Sequence, residues 1–177
     1  KLVGVYDLFD KNSIKLAKQY NITQYKSLNQ LLEDVDVVSI TTPATTHYEV
    51  TKKALTNNCH VFVEKPFTNN IKEGEELIAL QKLKKLKVQV GHIERFNPAF
   101  QYYYNNNPEP IFIESHRLCA YNERGLDVDV VLDLMIHDLD LILLLIKPPI
   151  QSIHASGTSI LSSSLDMVNA RIQFKQN

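Results

Sequence analysis

The amino-acid sequence predicts an α/β fold: a doubly wound parallel sheet, followed by an α+β domain with a mostly antiparallel open sheet. Short apolar runs alternate with helical patterns over residues 1–97, which is typical of parallel strands joined by crossover helices. A turn-rich segment at 105–110 interrupts this alternation. One long helical pattern and strands separated by polar loops then follow. They indicate a second domain over residues 98–177.

The elements of the first domain follow from residue type and spacing. Residues 35–41 form a β-branched run that suits a strand buried on both faces. Asp10 and Ser27 are plausible helix caps. The predicted strands are 2–6, 35–41, 60–64 and 88–90, and the predicted helices are 12–20, 28–33, 46–55 and 71–86.

The second domain has fewer and longer elements. The predicted order is a strand at 111–118, one long helix at 130–146, and strands at 150–155 and 167–174. A serine-rich loop at 159–164 separates the last two strands and is too short to indicate disorder.

Composition and charge exclude several classes of function. The chain has 177 residues and a formal net charge of −1, so neither a nucleic-acid partner nor an anionic membrane surface is indicated. The longest apolar run, 141–146, is too short to cross a bilayer. Cys59 and Cys119 form neither a zinc-type spacing nor a disulfide framework, which favours a reducing cytoplasm.

Two predicted strands end in residues that suit a dinucleotide. Asp7 follows the first strand, where an acid accepts hydrogen bonds from the adenosine ribose and disfavours a 2′-phosphate. An ordinary turn or helix-capping aspartate is the alternative. Residues 41–47 follow the strand at 35–41, and their small side chains would let a flat ligand approach closely. Residues at the start of a helix need no such function.

A third strand end carries opposite charges. The apolar residues 61–63 lead directly into Glu64, Lys65 and Pro66. In open α/β sheets, ligands bind beyond the carboxyl ends of the strands, so these charges stand where a ligand would bind. The same pattern also arises where a strand simply ends at a proline and its charges meet water. This stretch alone leaves both interpretations open.

The long helical pattern carries three polar residues on one face. Asp133, His137 and Asp140 stand at i, i+4 and i+7 in a largely apolar segment, so they must face water, a partner or a ligand. An Asp133–His137 pair would hold the imidazole and raise its basicity, as suits a general base near neutral pH. The alternative is a polar stripe that faces water. A metal site is not indicated, because the pattern offers no third ligand.

Together these motifs resemble the Gfo/Idh/MocA family of NAD(P)-dependent sugar oxidoreductases. The resemblance covers nearly the whole chain and rests on Thr41-Thr42-Pro43 with His47, on Glu64-Lys65-Pro66 and on Asp133-x-x-x-His137. It implies a Rossmann-like domain over 1–97 and a C-terminal substrate domain over 98–177. In this family the open sheet of the second domain often mediates oligomers, so a homo-oligomer is expected.

The resemblance implies NAD as the cofactor, with NADP less favoured. Hydride would pass between NAD and a secondary hydroxyl of a sugar, cyclitol or nucleotide-linked sugar. Lys65 would contact the reacting hydroxyl and hold the nicotinamide, His137 would accept the proton, and Asp133 would orient His137 or bind a sugar hydroxyl. The implied cofactor-binding residues are Asp7, Thr41, Thr42, Pro43, His47, Glu64, Lys65 and Pro66, with a cis bond expected between the last two.

Residues 91–98 are similar to those of family members that act on nucleotide-linked sugars. The implied substrate-binding residues are Lys65, Arg95, Asn97, Arg117, Arg124, Asp133 and His137. The three arginines could equally be surface charges.

One motif of the family does not occur in the sequence. The five glycines are Gly4, Gly74, Gly91, Gly125 and Gly157. None forms the G-x-G-x-x-G loop that cradles a pyrophosphate and would precede Leu2. We therefore expect both domains to be partial and the chain to be a fragment. A non-catalytic nucleotide-binding or scaffold module is the alternative function, although such a module needs no base opposite a cation.

Overall fold

The structure, a computed structural model, describes residues 1–120 and 127–175. The chain divides into two compact units. Unit 1 comprises Lys1–Thr42, Thr46–Val63 and Asn70–Gln89, and unit 2 comprises Pro43–Thr45, Glu64–Asn69 and the residues from Val90 onward. The domain boundary expected at residue 97 stays a prediction, because compactness alone does not define a domain.

Short parallel strands and helices alternate through unit 1. The strands are β1 (Gly4–Val5), β2 (Thr23–Gln24), β3 (Val37–Ile40), β4 (His60–Val63) and β5 (Val88–Val90), the last residue of β5 belonging to unit 2. The helices are α1 (Asp10–Tyr20), α2 (Leu28–Asp34), α3 (His47–Thr56) and α4 (Ile71–Lys84). β1 pairs with β2 in parallel, and the second sheet has the order β3-β4-β5. The predicted alternation is confirmed, whereas the two-residue strand β2 was too short to give a pattern.

The strand ends of unit 1 place the polar motifs. β3 and β4 are parallel and in register, with Ile40 opposite Val63. Both of these side chains are buried, but Val37 in β3 is 60% exposed. The prediction that residues 35–41 form a strand buried on both faces is therefore wrong: only one face of β3 is covered. Thr41 and Glu64 are the next residues along the chain, so two of the predicted motifs begin at neighbouring strand ends.

The starts of helices α1 and α2 test the two predicted caps, and one of the two predictions is wrong. Ser27 caps α2 as predicted, because its Oγ accepts a hydrogen bond from the backbone N–H of Gln30 at 3.3 Å. The prediction that Asp10 caps a helix is wrong, since Asp10 lies inside the first turn of α1. Asp7 instead accepts the N–H of Phe9 at 2.7 Å, just before the helix.

Unit 2 combines helices with an antiparallel hairpin. Its elements are a 3₁₀ turn (Ile93–Phe96), α5 (Pro98–Asn105), a π-helical turn (Val131–Met135), α6 (Ile136–Leu145), β6 (Ile150–Thr158) and β7 (Met167–Phe174). β6 and β7 pair antiparallel, which confirms the predicted change of sheet type. No helix in the described ranges 1–120 and 127–175 is long and apolar enough to span a membrane.

Two expectations for unit 2 differ from the structure, and one helix was not predicted. The strand predicted at 111–118 is wrong: this segment has no regular structure, and Ile111 and Leu118 are exposed. A segment becomes a strand only where a neighbour completes its hydrogen bonds. Helix α5 was not predicted, although Asn97 caps it and Pro98 occupies its first turn. The helix predicted at 130–146 begins with the π turn and is half-buried.

Candidate active site

Lys65 and Asp133 form the centre of the candidate site, and both belong to unit 2. Lys65 Nζ donates to the backbone oxygen of Asp133 and to its carboxylate Oδ1, each at 2.7 Å. The side chain of Lys65 is only 22% exposed. Two short hydrogen bonds, one to a charged group, therefore fix an ammonium that would otherwise be one of the most mobile groups in the chain.

The backbone oxygen that accepts from Lys65 lies in a π turn. In a π turn the N–H bonds back to the fifth preceding residue, which interrupts the regular α-helical ladder. The turn Val131–Met135 includes Asp133 at its centre. Asp129 lies just before the turn, and its Oδ1 accepts from the N–H groups of Val131 and Leu132 at 3.1 and 3.0 Å. Such turns occur frequently at functional sites.

His137 lies in the first turn of α6, with a partly buried imidazole on which charges of both signs act. Burial lowers the pKa of His137 most, and the charges of Lys65 and Arg117 lower it further. Glu94 and Asp138 act in the opposite direction and only partly compensate. Its Nδ1 is buried and has no hydrogen-bond partner in the part of the chain that is described. The lowered pKa favours the neutral imidazole, which can accept a proton.

The structure corrects the expected pairing of Asp133 with His137. Asp133 directs its carboxylate to Lys65, and the pKa of His137 is lowered rather than raised. The reason is that i and i+4 lie on one face only in an α-helix, whereas Asp133 lies in a π turn. The charge of Lys65 still lowers the pKa of His137, but Asp133 binds the lysine and not the imidazole.

The polar residue Asp140, on the same helix, binds an arginine. Arg95 donates through Nε to Asp140 Oδ2 at 2.7 Å and through Nη2 to Oδ1. Asp140 is 10% exposed, and His92 Nδ1 lies 3.8 Å from its Oδ2. Burial lowers the pKa of His92, with Asp140 and Arg95 acting in opposite directions. This cluster joins the 3₁₀ turn to α6.

A second arginine binds the residue next to His137. Arg117 Nε lies 3.1 Å from both carboxylate oxygens of Asp138, and its Nη2 lies 2.9 Å from Oδ1. Thus two of the arginines expected to bind substrate are paired with helix carboxylates. The third, Arg124, lies outside the described residues. Asn97 accepts the N–H of Ala99 at 3.0 Å as the cap of α5.

Glu64, Lys65 and Pro66 follow β4 without interruption. The Lys65–Pro66 bond is cis, as the resemblance implied. Gly91 lies against the carboxylate of Glu64: a Cβ built on Gly91 would stand 2.9 Å from Glu64 Oε2. A side chain at position 91 would therefore displace Glu64.

The remaining cofactor candidates make local contacts in the structure. Asp7 accepts from Phe9 N–H and, at 3.2 Å, from Asn12 Nδ2. His47 is buried and donates through Nε2 to the backbone oxygen of Thr42 at 2.9 Å, which holds the loop after β3. Pro43 belongs to unit 2, where the next residue, Ala44, donates its N–H to Asp127 at 3.0 Å. Thr41 directly follows the strand β3 and is exposed.

The sequence pattern did not identify Glu94 and Asp138, which complete the surroundings of His137. Asp138 had a signal, because it directly follows the candidate base in the sequence. Glu94 had none, since only the fold brings residue 94 near residue 137. Across residues 1–120 and 127–175, no three His, Cys, Asp or Glu side chains are grouped so that they could hold a metal ion.

The chain is similar to known oxidoreductases. The model of the GFO_IDH_MocA family, described as an oxidoreductase family with an NAD-binding Rossmann fold, matches residues 1–92. UDP-N-acetylglucosamine 3-dehydrogenase of Acidithiobacillus ferrooxidans is 37% identical over 171 residues, 96% of this chain and 55% of that protein. The scyllo-inositol 2-dehydrogenase (NAD(+)) of Bacillus subtilis is 36% identical over 105 residues, 56% of this chain and 30% of that protein.

A solved structure agrees with the fold. The UDP-N-acetylglucosamine 3-dehydrogenase GnnA from Acidithiobacillus ferrooxidans is 36% identical and matches with a TM-score of 0.90, over 98% of this chain and 57% of that chain. This chain thus spans little more than half the length of these two matched proteins.

Proposed function

This chain belongs to the Gfo/Idh/MocA family of oxidoreductases, and from that premise we propose that it transfers a hydride between NAD and a secondary hydroxyl of a sugar. One observation carries the proposal: the charge of the Lys65 ammonium, which Asp133 holds in place, lowers the pKa of the His137 imidazole within one compact unit. A binding or scaffold module would have no use for a base opposed to a cation.

The residues present fit a nicotinamide dinucleotide. Each carboxylate oxygen of Asp7 accepts one local hydrogen bond, which leaves lone pairs free for ribose hydroxyls. Glu64, placed against Gly91, is the candidate for the nicotinamide ribose. Together with Thr41, Thr42, Pro43, His47, Lys65 and Pro66 these residues would hold the cofactor. When bound, NAD supplies the hydride acceptor.

The side chains of unit 2 supply the acid–base chemistry. His137 takes the proton of the substrate hydroxyl, since its lowered pKa keeps it neutral near pH 7. Lys65 donates a hydrogen bond to the same oxygen and stabilises the negative charge that develops there. Asp133 holds Lys65 through two contacts of 2.7 Å and so orients the ammonium. In the opposite direction, protonated His137 returns the proton to the alkoxide.

We propose a nucleotide-linked sugar as the substrate class. The support is the similarity over 96% of the chain to a protein named UDP-N-acetylglucosamine 3-dehydrogenase. The cyclitol dehydrogenase matches a shorter part, 56% of the chain. Arg95 and Arg117 are weaker candidates for binding the diphosphate, because each is already paired with a carboxylate. Lys65, Asn97, Asp133 and His137 remain the proposed contacts with the sugar.

The experiment is a substrate comparison on the complete protein. NADH formation is measured with UDP-N-acetylglucosamine, free N-acetylglucosamine and scyllo-inositol, and NAD binding is measured separately by calorimetry. We expect turnover with the UDP-sugar and much less with the other two. NAD binding without turnover on any of the three would contradict the proposed activity and favour the non-catalytic module. Preference for the cyclitol would overturn only the substrate class.

We further propose a cytoplasmic homo-oligomer formed through the hairpin β6–β7. Ile153 and Met167, on its two strands, are more than half exposed. Apolar side chains of this size are typical of interfaces. Analytical ultracentrifugation of the wild type and of Ile153→Lys tests the assembly, and an unchanged sedimentation coefficient in the variant would contradict it.

A further inference from the structure

The ion pair of Arg117 and Asp138 is placed directly beside the candidate base. Asp138 follows His137 in the first turn of α6, and its side chain is 16% exposed. Arg117 contacts Asp138 through both Nε and Nη2, at 2.9–3.1 Å. This two-pronged geometry restricts the carboxylate far more than a single contact would.

An unpaired Asp138 would interfere with the proposed base. A carboxylate next to an imidazole favours the protonated ring, and a protonated ring cannot accept a proton. Arg117 brings a positive charge to the same place and offsets Asp138. Four charged groups act on the ring: Lys65 and Arg117 are positive, and Glu94 and Asp138 are negative. Removing either member of the ion pair therefore upsets the balance, in opposite directions.

We propose that Arg117 is a positioning residue for His137: its ion pair with Asp138 fixes the first turn of α6 and offsets the carboxylate beside the imidazole. This inference rests on the proposed function, in which His137 is the base. Arg117 would touch neither substrate nor cofactor in this role. It differs from the anion-binding role that the resemblance implied for the same arginine.

The test separates charge from structure. The midpoint of the His137 titration is followed by NMR in the complete protein without cofactor, and the acid limb of kcat/KM is measured in parallel. In Arg117→Gln we expect both to move to higher pH, on the order of one pH unit. In Asp138→Asn we expect both to move to lower pH. The double variant should titrate close to the wild type, because both charges are gone.

Asp140→Asn is the matched control. It removes a carboxylate two residues further along the same helix that is also paired with an arginine. The charge of Asp140 is not among those that act on His137. Its His137 midpoint should stay in place. Circular dichroism first checks that Arg117→Gln and Asp138→Asn are folded. If both folded variants move the His137 midpoint in the same direction, or not at all, the positioning role is overturned. If the NMR midpoints move as expected but no variant or wild type turns over any sugar, the proposed function fails and the charge balance stands.

Discussion

The ammonium of Lys65 lies 2.7 Å from the backbone oxygen and 2.7 Å from the carboxylate of Asp133, 68 residues further along the chain. This contact joins Lys65, which lies just after β4, to a π-helical turn. It places the positive charge of Lys65 where that charge depresses the pKa of His137. Asp133 thus holds the cation of the proposed reaction, and the charge of that cation acts on the proposed base.

Lys65→Met should lower kcat by about a hundredfold to a thousandfold, because it removes the charge that stabilises the developing alkoxide. Arg95 and Arg117 cannot replace it, since each is bound to its own carboxylate. Steady-state kinetics with a thermal melt of the same sample checks this. Lys65→Arg is the control that keeps the charge. Near-normal turnover in a folded Lys65→Met protein would show that another group stabilises the oxygen.

His137→Asn should lower turnover by about a hundredfold to ten-thousandfold with the fold retained. The acid limb of the wild-type profile should lie below the usual histidine pKa of about 6.5, because burial and two positive charges favour the neutral ring. The limb should vanish in the variant. Wild-type-like activity of His137→Asn across the pH range would assign the base to another residue.

Acidification should destabilise the protein through His92 as well as His137. Both folded-state pKa values are lowered, so below about pH 6.5 the unfolded chain binds protons that the folded chain does not. This stability is fully present above that pH and is lost as the pH falls toward the folded pKa values. Urea denaturation at about pH 7.5 and about pH 5.5 measures the loss. His92→Gln should reduce the difference, and an equal loss in the variant would exclude His92.

Asp7→Ser should raise the kcat/KM ratio of NADP to NAD by about tenfold, since the carboxylate that repels a 2′-phosphate is gone. The wild-type protein should prefer NAD. Asp10→Ser, which removes a nearby exposed carboxylate inside α1, is the control and should leave the ratio unchanged. A wild-type preference for NADP would refute the role of Asp7.

Asp166 should govern the order of the loop between β6 and β7. Its Oδ2 accepts the N–H groups of Ile160 and Leu161, both at 2.7 Å, and that of Ser162 at 2.9 Å. These bonds, with one from the Ser162 hydroxyl, hold the pKa of Asp166 far below its usual range. In Asp166→Ala, amide exchange of Ile160 and Leu161 should accelerate about tenfold or more. Unchanged exchange, measured against an amide of β7, would show that the loop orders itself.

Because the pKa of Asp166 is depressed, its stabilising effect is present above the pKa of an unfolded aspartate and is lost only as the pH falls through the folded value. The loop amides of the wild type should therefore keep their protection at about pH 5, after correction for the intrinsic exchange rate.

The sequence by itself determined the fold class and supplied the candidate residues of the proposed site. Local periodicity sufficed for this, because the alternation of strands and helices and the polar ends of β3 and β4 are properties of neighbouring residues. The confirmed features are the parallel pairing in the first half, the antiparallel hairpin in the second and the membership of the family.

Only the tertiary structure decided which side chains meet. Helical spacing alone suggested that Asp133 serves His137, but the π turn changes the spacing and Asp133 instead binds Lys65. Likewise, no local pattern could reveal that Arg117 pairs with Asp138. An ion pair depends on distances between segments far apart in sequence, whereas periodicity reports only the few residues on one face of one element. The same reason explains the missing strand at 111–118, since a strand exists only with a neighbour to bond.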